Sequence, residues 1–119
     1  MTCDVSAGRR FLLDQRIRVK EQRLEDMQQS RSEFIRLSER YRQTLHTSFS
    51  TLTSLNEGLM ALGSRPAQVE LEDDMEKARY VRRVVDEQEE QAGEAYRRLT
   101  VQAEDEIEQV RRERNTLPW

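Results

Sequence analysis

The chain has 119 residues, 36% of them charged and 35% hydrophobic, with a net charge of −3 and only 4 Gly, 2 Pro and 1 Cys. So few Gly and Pro leave little material for loops or sheets, so the composition predicts one all-helical unit. The acidic balance argues against nucleic acid as the main partner, and one cysteine cannot close an internal disulfide.

Residues 1–8 are expected to form a flexible N-terminus, with Asp4 or Ser6 as candidate caps for the first helix. The opening Met-Thr-Cys-Asp-Val-Ser lacks the basic-then-apolar layout of a secretory signal, and no stretch approaches the roughly 20 apolar residues of a membrane span. The expected location is therefore cytoplasmic. Cys3 has no neighbouring ligand or redox partner in the sequence.

The first helix is predicted over about residues 9–62, because a 3-4 spaced walk stays largely apolar along it. Its positions are Leu13, Ile17, Lys20, Leu24, Met27, Arg31, Phe34, Ser38, Tyr41, Leu45, Ser48, Leu52, Leu55, Leu59 and Leu62. Such spacing marks a coiled-coil seam. Within this helix, Gln43 to Asn56 carries no formal charge and seven Ser or Thr, which are mediocre helix formers. Ile35 and Phe49 lie just off the seam and Leu37 on its other flank, widening the apolar stripe. Residues 34–62 are thus the candidate contact surface for another helix, with Phe34, Ile35, Leu37, Tyr41, Leu45, Phe49, Leu52, Leu55 and Leu59 as its residues. Ordinary packing within the chain is the competing explanation.

A turn is predicted at residues 63–66, where Gly63-Ser64-Arg65-Pro66 supplies a helix-ending glycine, a cap and a proline suited to a new first turn. Acidic Glu70, Glu72, Asp73 and Asp74 follow near the positive end of the next helix dipole. The second helix is predicted over about residues 67–117, with residues 118–119 as a C-terminal end. Its seam runs Leu71, Met75, Ala78, Arg82, Val85, Glu89, Ala92, Tyr96, Leu99, Ala103, Glu106, Val110, Glu113 and Leu117.

Folding the chain about residue 64 places position i opposite roughly 128 minus i. Leu13 then meets Leu117, Ile17 meets Val110, and Phe34 meets Ala92 and Gly93, which would explain a glycine inside a helix as room for a large side chain. A kink or a close partner contact is the other explanation for Gly93. Residues 1–62 hold 10 basic and 8 acidic side chains while residues 63–119 hold 10 and 15, so the two arms attract. The fold class is accordingly all-α: a long antiparallel two-helix hairpin, of coiled-coil type, completed to a helical bundle by dimerisation or a partner.

Arg82-Arg83, Arg97-Arg98 and Arg111-Arg112 recur 15 and 14 residues apart, close to four helical turns, and so form a candidate basic stripe. Interspersed Glu87, Glu90, Glu94, Glu104 and Glu108 favour a solvated, neutralised face. His46 is the sole histidine and has no metal-ligand spacing around it. No phosphate loop, nucleophile elbow or zinc motif is present, so no catalytic residue, cofactor, metal or small molecule is expected and the chain is expected not to be an enzyme. Trp119 is either a frayed end or an aromatic anchor.

Leu12-Leu13-Asp14-Gln15-Arg16-Ile17-Arg18 resembles the start of small coiled-coil chaperones that hold filament subunits of bacterial type III secretion systems. The outline of one charged hairpin also looks like the stalk proteins of the type III and flagellar export ATPase. Arg82 to Arg114, Glu-rich and punctuated by Arg-Arg, is similar to helical targeting partners of type VII secretion toxins. These resemblances imply a non-enzymatic helical adaptor or chaperone, a homodimer or hetero-oligomer, for a secretion-system substrate or export component. A structural coiled-coil subunit of a eukaryotic tethering or cytoskeletal cofactor complex is the alternative.

Overall fold

The structure, a computed structural model, describes the backbone of residues 2–117 and the side chains of residues 5–117. Among these residues the chain forms two helices, α1 (Thr2–Ala61) and α2 (Arg65–Asn115), in an antiparallel helical hairpin without strands. Helical geometry begins at Thr2, ahead of the start expected near residue 9. The Cys3 side chain, Pro118 and Trp119 lie outside the described residues.

Residues 62–64 make the reversal, and their backbone shows why it is sharp. Gly63 adopts φ 91°, a left-handed conformation that costs glycine nothing and a residue with a Cβ a good deal more. Its N–H donates to the Met60 carbonyl at 2.9 Å and the Ser64 N–H donates to the Leu59 carbonyl at 3.0 Å, the paired bonds of a Schellman end. Ser64 then starts α2, its hydroxyl accepting from the Ala67 N–H at 3.4 Å. No acidic residue falls in the first turn of α2. Glu70 to Asp74 therefore lie beyond the reach of the helix-end charge, which fades within one turn. Arg112 and Arg114 do occupy the last turn.

The chain divides into two units, each built from one segment of each helix. The first comprises Met1–Ser32 and Gly93–Trp119. Its core is Leu13, Ile17, Ile107 and Val110, with Leu24 and Leu117 packed against them. The inward positions on α1, Leu13, Ile17, Lys20, Leu24 and Met27, keep the 4-3 spacing of a heptad. Polar bonds close the edges: Lys20 Nζ donates to Glu106 Oε2 at 3.1 Å, Arg111 pairs with Glu21 at 2.7 Å, and Arg114 Nε lies 2.5 Å from Asp14 Oδ1. Ser30 and Tyr96 share a hydroxyl hydrogen bond of 3.1 Å. A Cβ at Gly93 would meet nothing within 4 Å, so making room for a large side chain does not account for that glycine. Nothing in the structure explains it.

Glu33–Ala92 form the second unit, and here the register differs from the heptad walk. Inward or half-buried positions on α1 are Phe34, Ser38, Arg42, Leu45, Phe49, Thr53, Asn56 and Met60, at intervals of 4, 4, 3, 4, 4, 3 and 4. That is the 11-residue spacing of a helix with little left-handed supercoil. Tyr41, Ser48, Leu52, Leu55, Leu59 and Leu62 are exposed, which corrects their assignment to the seam between α1 and α2. A strict heptad drifts by about 20° per repeat on an unsupercoiled helix, so several repeats swing the stripe off the contact face and bring the following residue in. On α2 the heptad walk largely holds: Leu71, Ala78, Val85, Glu89, Ala92, Tyr96, Ala103, Glu106, Val110 and Leu117 are buried or half-buried, and Met75, Arg82, Leu99 and Glu113 are exposed.

Candidate functional site: the outer stripe of α1

The residues expected to form one contact surface separate into three sets in the second unit. Phe34, Leu45 and Phe49 turn toward α2 and are half-buried. Ile35 is exposed on one flank of α1. Leu37, Tyr41, Leu52, Leu55 and Leu59 are exposed on the other, together with Leu62, at 62% for Leu37 and 85% for Leu62. At about 100° per residue, these six share an arc of about 80° centred roughly 90° from the packed face. The stripe stands beside the hairpin contact and is not part of it.

The fully buried positions of the contact beside the stripe are polar or small. The only buried residues of this unit, among those described, are Ala67, Ala78 and Asn56. Asn56, 5% exposed, donates through Nδ2 to Asp74 Oδ2 at 3.1 Å, so a buried amide sits where a seam would ordinarily place an aliphatic side chain. Arg42 donates from Nε and Nη2 to the two oxygens of Glu89, both at 2.8 Å, and from Nη2 to Asp86 at 2.5 Å. This bidentate bond holds the Glu89 carboxyl below the usual carboxylate range, and the neighbouring Glu89 and Asp86 hold the Arg42 guanidinium firmly charged. These bonds fix the level of α2 against α1. They also hold the helices in the register that leaves the leucines outside.

The opposite flank carries an open groove lined by His46, Phe49, Thr53 and Glu57 of α1 and by Met75, Arg79 and Arg82 of α2. His46 is exposed there. Among the described residues no group of three His, Cys, Asp or Glu side chains is placed to hold a metal ion. No described helix is long and apolar enough to cross a membrane.

Arg82, Arg83, Arg97, Arg98, Arg111 and Arg112 are all exposed. Arg111 is engaged by Glu21 and Arg112 by Glu108 at 3.0 Å, so carboxylates occupy part of the stripe. Sequence reasoning missed Arg42 and Asn56 as inward residues, since a walk that seeks apolar positions passes over both. The 4-4-3 spacing of Phe34, Ser38, Arg42, Leu45 and Phe49 was the available signal. Among the described residues, this flank of α1 presents an exposed apolar helix face. Comparisons with protein families, characterised proteins and solved structures find no match to this chain.

Proposed function

We propose that this protein is a non-enzymatic helical adaptor or chaperone, which docks a helix of a partner protein on the outer stripe of α1. The observation supporting this is the separation of two faces on one helix. The face toward α2 is used inside the hairpin, while Tyr41, Leu52, Leu55 and Leu59 occupy heptad positions that the fold leaves in water, with Leu37 exposed on the same flank. An exposed apolar line on an element so rich in charge marks an interaction surface. The resemblance of residues 12–18 to secretion chaperones directs the proposal toward a secreted substrate or export component, handled in the cytoplasm.

Exchange is the mechanism that fits. Lys20, Ser38, Arg42 and Asn56 place polar groups on the intrachain face, lowering the stability of the isolated protein and fixing its register. A partner helix that covers the stripe then stabilises the folded chain by mass action. Affinity capture followed by mass spectrometry tests the reading, with Leu55→Lys, Leu59→Lys as the comparison bait. Export components bound by the wild-type bait and lost with the variant support it, whereas capture unaffected by the variant removes the stripe from the function. Tethering or tubulin-associated proteins bound in the same way transfer the adaptor role to the structural alternative.

A further inference from the structure

We propose that, before any other partner arrives, the outer stripe is covered by the same stripe of a second copy, running antiparallel about a two-fold axis near Ser50. This rests on reading the stripe as a helix-docking surface and names its occupant. Spacing supplies the first argument. Tyr41, Leu45, Ser48, Leu52, Leu55, Leu59 and Leu62 alternate by 4 and 3, the period that a left-handed coiled coil maintains against a facing helix. The hairpin's own packing in this unit follows 4-4-3 and shares only the half-buried Leu45 with that line.

Charge selects both the occupant and its direction. Residues 43–56 carry no formal charge; residues 31–42 before them hold 4 basic and 2 acidic side chains, net +2, with Arg42 engaged by Glu89 and Asp86 of α2, and residues 57–76, which run through the reversal into α2, hold 1 basic and 6 acidic, net −5. A parallel pair sets −5 against −5. An antiparallel pair sets +2 against −5 at both ends, with the uncharged middle of each copy crossing the other. The Asn56–Asp74 bond levels Glu70 of α2 with about residue 60 of α1. Antiparallel pairing about Ser50 brings Arg40 to that level on the other copy, among Glu70 and Asp73. Facing layers are then Tyr41 with Leu59, Leu45 with Leu55 and Ser48 with Leu52, so each small residue meets a leucine and no charge is buried. Self-complementarity of this kind is what a closed two-fold dimer requires.

Chains carrying Tyr41→Cys and Leu59→Cys, each in a Cys3→Ser background, test the geometry. Residues 41 and 59 lie about 27 Å apart along α1, so neither chain alone forms a disulfide dimer under mild oxidation, whereas the mixture does. Sedimentation of the unmodified protein gives twice the chain mass of 14.2 kDa, and Leu52→Lys, Leu55→Lys returns it to one chain mass with its helical circular dichroism retained. A monomeric wild type at micromolar concentration overturns the proposal, as does a disulfide dimer from either cysteine chain alone. A monomer that still captures its partner through the stripe removes only self-pairing. A dimer of the expected geometry with no stripe-dependent partner upholds self-pairing and removes the adaptor.

Discussion

Arg42 spans the helices to two carboxylates, and its three hydrogen bonds to Glu89 and Asp86 are the densest polar contact between α1 and α2 in the second unit. Arg42→Ala is expected to destabilise the chain by about 1 kcal/mol, because bidentate geometry raises the contribution above that of an ordinary surface pair while solvent screens it; urea unfolding measures this. The same contact gives a pH signature. Glu89 is lowered from its ordinary value of 4.5 by the Arg42 hydrogen bonds, so its stabilisation is full above that value and is lost as pH falls through the depressed one. Glu106, lowered by the hydrogen bond and charge of Lys20, follows the same sign. Melting temperature should therefore drop on acidification below about 4.5, less steeply for Arg42→Ala than for wild type. Gly93 gives a prediction of opposite direction. Open space surrounds its missing Cβ, and Gly93→Ala is expected to stabilise the helix by about 0.5–1 kcal/mol, seen as a higher midpoint at unchanged m-value.

Along α1, one helix sustains two kinds of packing. Leu13 and Ile17 are buried with Ile107 and Val110, so Ile17→Ala is expected to cost about 2–3 kcal/mol by urea unfolding, near the low end for a core aliphatic because few atoms surround it. From Glu33 to Ala61 the helix buries no large apolar side chain. That stretch also contains the Ser- and Thr-rich run Gln43 to Asn56. Amide hydrogen exchange should consequently be faster over residues 43–56 than over residues 12–27, since local opening there exposes little apolar area and breaks weak helix formers. Equal protection in the isolated monomer would contradict this. Protection gained only over 43–56 as concentration rises would locate the self-pairing.

For the whole molecule, the balance of buried and exposed apolar residues determines how it behaves in solution. No described side chain is less than 2% exposed, and the buried hydrophobics are Leu13, Ile17, Ala67, Ala78, Ile107 and Val110. A core of this size leaves stability dependent on what binds the folded state. Melting temperature should therefore rise with protein concentration for wild type and stay constant for Leu52→Lys, Leu55→Lys, a pair of scans that separates association from intrinsic stability.

The sequence by itself determined the two helices, the reversal and the pairing of the arms, because these depend on local signals: apolar periodicity, a glycine needing left-handed φ, a capping serine and a scarcity of other breakers. Lys20 with Glu106, Asp14 with Arg114 and Asn56 with Asp74 lie close to the level that folding about residue 64 assigns them. Only the tertiary structure decided which side of α1 faces α2 beyond Glu33. The apolar walk is heptad-spaced throughout, yet an unsupercoiled helix turns past it by about 20° each repeat, and the difference accumulates from Leu13 to Leu62. Polar Arg42 and Asn56 then enter the contact because their bonds across it satisfy them, and Tyr41, Leu52, Leu55 and Leu59 are carried outward. A linear pattern records the sequence interval between leucines. Whether a given leucine meets α2 or water depends on the supercoil of the assembled pair.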